Sequence, residues 1–159
     1  VHTKYKAPRV FISHNWGPTA TGLDTHAVAR RLSKSLRAQE IETWFDEDDM
    51  GPDLLSSMSG GIEWANIFLI LVTKTYISKC NGHFQDNCRR EFTYASKRKQ
   101  ASEILLVVVE PECCDQGTWT GPFGLLCSNL LYVDCSRGLI PMKVGRAIRH
   151  RMILKEKTS

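Results

Sequence analysis

No stretch of this sequence is apolar for long enough to cross a bilayer, and no charged-then-apolar signal segment opens it. We therefore expect a cytoplasmic domain with no membrane contact. The sequence also has no Cys-x-x-Cys and no His-x-x-x-His pair, so a structural zinc site has no local signature. A core of this size needs no disulfide staples, and reduced thiols are expected at Cys80, Cys88, Cys113, Cys114, Cys127 and Cys135.

Positive charge is modest and dispersed. The net charge is +4, and no basic stripe with interleaved aromatic residues occurs, so no nucleic-acid partner is expected. With 159 residues and 42% hydrophobic content, the chain can bury one core. We expect a single domain over residues 1–159 with its core at about 9–154. Because the chain begins at Val1, we also expect it to be excised from a larger multidomain protein.

Short apolar runs alternate with amphipathic stretches along the chain. The apolar runs predict strands at 10–13, 41–45, 67–72, 104–109 and 130–134. Helical spacing predicts helices at about 25–39, 54–62, 88–99 and 142–153, and segment 78–87 is expected to be a loop. This alternation predicts an α/β, flavodoxin-like, three-layer fold with a central, mainly parallel five-stranded sheet.

Polar and aromatic side chains follow the first strands of the predicted sheet. In such folds a ligand binds beyond the carboxyl ends of the strands, where the strand order reverses. The residues expected at this edge are Ser13, His14, Asn15, Trp16, Trp44, Phe45, Asp46, Thr73 and Lys74. Either Trp16 or Trp44 can supply a ring face, although Trp44 also fits the core. A neutral, hydrogen-bonding His14 is favoured over a general base.

Two kinds of flavodoxin-like site do not fit these residues. A phospho-receiver needs an acidic pair after the first strand, where this chain reads Ser-His-Asn. A resident dinucleotide cofactor needs a glycine-rich phosphate loop, and no G-x-G-x-x-G occurs. The acidic run at 46–49 is interpreted as a solvated loop rather than a metal cluster. We therefore expect no cofactor and no metal.

Four segments carry a resemblance to a known family. They read "VFISH" at 10–14, "IETWFDEDDMGPDLLSSMSGGI" at 41–62, "NIFLILVTKTYI" at 66–77 and "NCRREFTYASKRKQASEILLVVVEP" at 87–111. In their order and spacing, over about 9–134, they resemble a Toll/interleukin receptor (TIR) domain. The resemblance is to the branch that cleaves NAD+ rather than to the receptor adaptors.

The resemblance implies an enzyme of innate-immune signal transduction. It would be an NAD+ glycohydrolase that releases nicotinamide and ADP-ribose, with cyclisation to cyclic ADP-ribose or base exchange left open. Self-association into a homo-oligomer would activate it. The alternative is a non-enzymatic TIR scaffold that acts only through contacts with other TIR domains.

The resemblance also assigns roles to residues. The catalytic carboxylate would be Glu91, and Asp46 would lie near the substrate ribose. The loop that TIR domains use for self-association and gating would contain Glu47, Asp48, Asp49, Met50 and Gly51. Asn87 stands where many NAD+-cleaving members carry Trp, and His14 and Asn15 stand in place of a Tyr-Arg pair. Either the substrate is held differently here, or this domain turns over slowly.

One carboxylate suffices for this chemistry. Nicotinamide leaves NAD+ as a neutral ring, so no general acid has to protonate it, whereas ordinary glycosidases need two carboxylates. The carboxylate stabilises the positive charge that develops on the ribose. Two simpler interpretations stay open from the residues alone: Glu91, expected in the first turn of its helix, would complement the helix dipole, and Cys88 would be an inert buried thiol.

Overall fold

A five-stranded parallel sheet forms the centre of the molecule. The computed structural model describes residues 6–45, 53–83 and 85–158. The strands found within these residues are β1 (Arg9–Ser13), β2 (Glu42–Trp44), β3 (Ile67–Val72), β4 (Ile104–Val108) and β5 (Tyr132–Asp134). They pair in the order β2-β1-β3-β4-β5, and every pairing is parallel. The predicted flavodoxin-like fold is confirmed.

Helices cover both faces of the sheet. The described residues form α1 (Thr25–Ala38), α2 (Leu54–Trp64), α3 (Lys74–Cys80), α4 (Asn87–Arg98), α5 (Gly121–Cys127) and α6 (Pro141–Thr158). Leu32 of α1 and Ile148 of α6 share one buried cluster, while Ile62, Tyr76, Phe92 and Phe123 place α2 to α5 on the opposite face. Apolar side chains on both sides explain why β3 and β4 are continuously apolar.

Two helices were not predicted. Helix α3 begins immediately after β3, and its last residues fall in the segment that was expected to be a loop. Helix α5 lies in a glycine-rich stretch, where Phe123 and Cys127 are buried. Helix α6 also extends to Thr158, beyond the expected end. In both unpredicted helices, tertiary packing of a few apolar side chains outweighs weak local propensity.

Parallel pairing places the carboxyl ends of all five strands at one edge of the sheet. The residues after β1 and β3 therefore lie side by side, as the register Ser13 to Ile70 requires. Helix α4 also starts near this edge, where the Asp86 side chain accepts a hydrogen bond from the backbone N–H of Cys88 at 2.8 Å and caps the helix. All six cysteines are free thiols. No described helix has the length and apolarity needed to cross a membrane.

Candidate functional site

Glu91 is a buried carboxylate rather than a surface helix residue. Helix α4 begins at Asn87, one residue earlier than predicted, so Glu91 lies just beyond the first turn, and that turn carries no acidic residue. The prediction that placed Glu91 in the first turn is wrong. Only 3% of Glu91 is exposed. Because a dipole contribution fades beyond the first turn and needs no burial, it does not account for this position.

Two hydroxyl groups connect Glu91 to the sheet. The Ser13 hydroxyl, at the end of β1, donates to Oε2 of Glu91 at 2.5 Å. The phenol oxygen of Tyr76, in α3, lies 2.7 Å from the same Ser13 oxygen. Burial raises the pKa of the Tyr76 phenol well above its ordinary value. The three side chains form a buried chain across β1, α3 and α4.

A groove between α2 and α4 reaches Glu91. Its volume is about 250 Å³, and it is lined by Leu55, Met58, Ser59, Ile62, Arg90, Glu91 and Tyr94. A guanidinium, an aromatic ring and a buried carboxylate therefore meet around a mainly apolar space. Larger hollows exist, including one of about 510 Å³ beside β5 and the start of α6, but none of the predicted site residues lines that one.

A second cluster lies beyond β1 and contains His14 and Trp16. Nε2 of His14 is 2.9 Å from Nδ1 of His26, and the ring of Trp16 stacks on His26 with centroids 4.0 Å apart. Trp16 is 47% exposed, whereas His14 is 2% exposed. Burial, together with the neighbouring His26, lowers the pKa of His14 to about 4. His14 is therefore neutral at physiological pH.

Asn15 is fully buried and only half satisfied. Its Oδ1 accepts a hydrogen bond from the Thr73 hydroxyl at 2.6 Å. Among the residues that the structure describes, its Nδ2 has no hydrogen-bond partner, and neither does Nδ1 of His14 or the hydroxyl of Thr25. An unsatisfied buried polar atom costs about 1–3 kcal/mol, so this junction between β1 and α1 suits a polar ligand or an internal water.

The sequence decides the family. It matches the model of the TIR domain over residues 10–149. The chain belongs to the TIR domain family. Its fold is similar to that of a prokaryotic SEFIR domain, at 17% identity and a TM-score of 0.59, over 89% of this chain and 92% of that one. It is also similar to the Clostridium botulinum CMP N-glycosidase BcmB, at 16% identity and a TM-score of 0.50, over 89% and 98% of the two chains. No curated protein matches significantly.

Trp44 of this TIR domain is half-buried and packs against the core. Its ring stacks on Phe11, with centroids 4.5 Å apart and planes 9° apart. The other neighbour is Gly61 of α2, where a Cβ would come within 2.7 Å of the Trp44 ring. This placement agrees with the core interpretation and leaves Trp16 as the exposed indole of the two. A substrate contact by Trp44 stays a prediction.

The start of α4 carries the remaining predicted residues. Asn87 is its first residue and is half-buried. Cys88 is buried, its thiol donates to the backbone oxygen of His14 at 3.5 Å, and burial raises its pKa far above the ordinary value. The thiol is therefore protonated and inert, as the simpler interpretation has it. The predicted Asp46 and the predicted loop at 47–51 lie outside the described residues.

Several residues in and near the site, including Arg90 of the groove, escaped the sequence analysis. Tyr76 lies in a helix that was not predicted. Tyr94 lines the groove with Glu91, and its spacing of three residues from Glu91 was the available signal. Glu110, after β4, is a second buried carboxylate, but it accepts hydrogen bonds from the Lys74 backbone N–H at 2.8 Å and the Thr21 hydroxyl at 3.1 Å. Those bonds give Glu110 a structural role at the start of α3.

Proposed function

We propose that this TIR domain cleaves the bond between nicotinamide and ribose in NAD+, with Glu91 as its catalytic carboxylate. One observation carries the proposal: Glu91 is buried, held by Ser13, and lines an apolar groove at the carboxyl edge of the sheet. A carboxylate in a water-poor groove stabilises a developing positive charge more strongly than one in water. Burial of the Glu91 carboxylate costs free energy because it removes a charge from water. A residue with a purely structural role would not need that charge.

The groove fits one end of the dinucleotide. Its volume suits a ring and its sugar rather than the whole of NAD+. The Tyr94 ring lines the groove one turn along α4 from Glu91, and the Arg98 guanidinium lies 5.0 Å from the centre of that ring. Arg90 lies in the same groove, and its guanidinium matches the pyrophosphate of the substrate. Trp16, which is 47% exposed and stacks on His26, supplies an aromatic side chain beyond β1 for the distal base.

Bond cleavage then moves a positive charge from one ring to another. As the glycosidic bond lengthens, both of its electrons pass to the cationic nicotinamide ring, which leaves neutral. The ribose becomes positive, and the Glu91 carboxylate stabilises it until water attacks C1′ and loses a proton to solvent, which gives ADP-ribose. The structural similarity to a CMP N-glycosidase supports the bond type, because a related fold hosts cleavage of an N-glycosidic bond in that protein.

Self-association is the second part of the proposal. The acidic loop at 46–49 of one domain would bind a second copy of the domain and order the groove of that copy. The partners would therefore be NAD+ and other copies of the TIR domain. Membership of the family supports this part, and the outcome would be an assembly-dependent NAD+ glycohydrolase in the cytoplasm.

Glu91→Gln is the experiment that tests the proposal. The change keeps the size of the side chain and removes its charge. We expect nicotinamide release to fall on the order of a hundredfold or more, with the melting temperature nearly unchanged. Chromatography of NAD+ reaction mixtures measures the nicotinamide release, and thermal unfolding measures the melting temperature.

Glu103→Gln is the control for this experiment. Glu103 lies before β4, at the opposite edge of the sheet, and pairs with Lys155 at 2.7 Å. Its loss should leave nicotinamide release unchanged and cost about 0.2–1 kcal/mol of stability at most. Full activity of Glu91→Gln would move the catalytic role elsewhere, with Asp46 as the next candidate. An inactive wild type would favour the non-enzymatic scaffold.

A further inference from the structure

We propose that Tyr76 and Ser13 are positioning residues that hold Glu91 ionised and fix its orientation through a directed chain of hydroxyl hydrogen bonds. The inference rests on the proposed function for its consequence in turnover. Its physical content, the control of the Glu91 carboxylate by two hydroxyls, is measurable without turnover.

The direction of the chain follows from the chemistry of its members. An ionised carboxylate only accepts hydrogen bonds, so Ser13 must donate to Oε2 of Glu91. The single proton of Ser13 is then used, and its oxygen can only accept from the Tyr76 phenol 2.7 Å away. Because burial keeps Tyr76 protonated, the phenol is a permanent donor. The 2.5 Å contact between Ser13 and Glu91 has the length typical of a hydroxyl donating to a carboxylate.

Tyr76 is itself held in place. Its backbone N–H donates to the Thr73 hydroxyl at 2.9 Å, which caps α3 at the end of β3. Its ring packs edge-on against Phe123, with centroids 6.1 Å apart. The phenol oxygen is thus fixed by one strand end and one helix, and its hydrogen bond to Ser13 links it to Glu91.

Burial makes this arrangement necessary. Ser13 and Tyr76 have no exposed surface, and almost none of Glu91 is exposed, so water contributes little to the carboxylate. A carboxyl group in such surroundings tends to take up a proton, and a protonated Glu91 could not stabilise a positive ribose. Hydrogen bonds donated to the charged form oppose that tendency.

The decisive measurement is the titration of the Glu91 carboxyl group. In protein labelled with 13C at glutamate carboxyls, its resonance is the one that disappears in Glu91→Gln. We expect Ser13→Ala to raise the midpoint of that titration by about one pH unit or more, and Tyr76→Phe to raise it by less. The double variant should nearly match Ser13→Ala alone, because the hydrogen bond of the Tyr76 phenol is to Ser13 and not to Glu91.

Turnover gives a second measurement. Ser13→Ala should lower kcat on the order of tenfold to a hundredfold and change KM less, and the acid limb of its pH profile should move to higher pH. Ser33→Ala is the matched control, since Ser33 is also buried and bonds a hydroxyl, that of Thr43, at 2.7 Å. Tyr132→Phe is the matched control for Tyr76→Phe, because it also removes one tyrosine hydroxyl, which donates to the Cys114 backbone oxygen. Both controls should leave the titration and kcat unchanged.

Each outcome decides the proposal. If the midpoint of the Glu91 titration does not move in folded Ser13→Ala, the proposal is overturned. If the two single variants shift the midpoint independently, so that their shifts add in the double variant, the part of the proposal that concerns Tyr76 is overturned. If Ser13→Ala does not fold, the same titration is measured in Tyr76→Phe, because that substitution removes only one oxygen atom. An inactive wild type, or an active Glu91→Gln, overturns the proposed function instead, while the titration still decides the role of the hydroxyls.

Discussion

A histidine buried at the end of β1 connects the stability of the domain to pH. His14 is neutral in the fold, where its pKa is lowered to about 4, and the same group in an unfolded chain titrates near 6.5. As pH falls below about 6.5, the unfolded chain therefore binds a proton that the folded chain excludes. The contribution of His14 to the free energy of unfolding is fully present above pH 6.5 and is lost progressively between about pH 6.5 and pH 4. Below about pH 4, His14 causes no further change in stability. The full loss is roughly 3 kcal/mol.

Substitution of His14 separates this contribution from that of other groups. We expect the difference in melting temperature between pH 7.5 and pH 5 to shrink in His14→Gln, whatever the absolute stability of the variant. His150→Gln removes an exposed histidine from α6 and should keep the wild-type difference. Equal pH dependence in His14→Gln and wild type would contradict the assignment.

Sequence could predict some of the site residues but not their partners. The motif around Glu91 indicated the carboxylate, and the end of the first strand indicated Ser13. Nothing in the sequence joins Ser13 to Tyr76, because they lie 63 positions apart and one of them is in an unpredicted helix. The Trp44 ring was ambiguous for a similar reason: its packing against Gly61 is a tertiary contact.

At the level of elements, two adjacent glycines of α2 have opposite surroundings. A Cβ on Gly60 would meet nothing within 4 Å, whereas one on Gly61 would come within 2.7 Å of the Trp44 ring. Gly60→Ala should stabilise the domain by about 0.5–1 kcal/mol, because alanine loses less backbone entropy in a helix. Gly61→Ala should destabilise it by about 1–3 kcal/mol, because Trp44 must move against Phe11.

Chemical denaturation of the two variants checks this contrast. The midpoints should shift in opposite directions, and the fluorescence of the folded state should change only in Gly61→Ala, where an indole is displaced. A stabilising Gly61→Ala would mean that Trp44 is not seated against α2 as described.

The strands and the long periodic helices were predictable, and the two short helices were not. Helices α1 and α4 and strands β1, β3 and β4 match the expected positions within one or two residues, because their apolar spacing is sustained. Helices α3 and α5 have seven residues each, too few for a periodic signal. Gly121, Pro122 and Gly124 are poor helix formers, so the sequence did not predict α5. The burial of Phe123 and Cys127 favours the helix instead.

For the whole molecule, the proposed assembly predicts that activity depends on concentration. If the active form is an oligomer, its fraction rises with total protein, so nicotinamide release per milligram should increase with concentration and with crowding agents. Initial rates over a hundredfold dilution series measure this. Constant specific activity across the series would contradict activation by assembly.

Mixing offers a control that holds the active protein constant. Glu91→Gln protein supplies the surfaces of a neighbour without a catalytic carboxylate. Adding it to dilute wild type should raise the rate per wild-type molecule if neighbours complete each other's grooves. An equal mass of an unrelated inert protein controls for nonspecific crowding.

The hydroxyl chain to Glu91 also sets when the protein becomes competent during its own synthesis. Ser13 meets Glu91 across 78 positions of sequence, and Tyr76 must also dock against Ser13. Contacts of such separation form late, because the intervening chain has to close first. A chain emerging from the ribosome has β1 long before it has α4. If Glu91 is the catalytic carboxylate, each nascent molecule stays inert at least until α4 has emerged and docked, and helix content should return before nicotinamide release when the protein refolds.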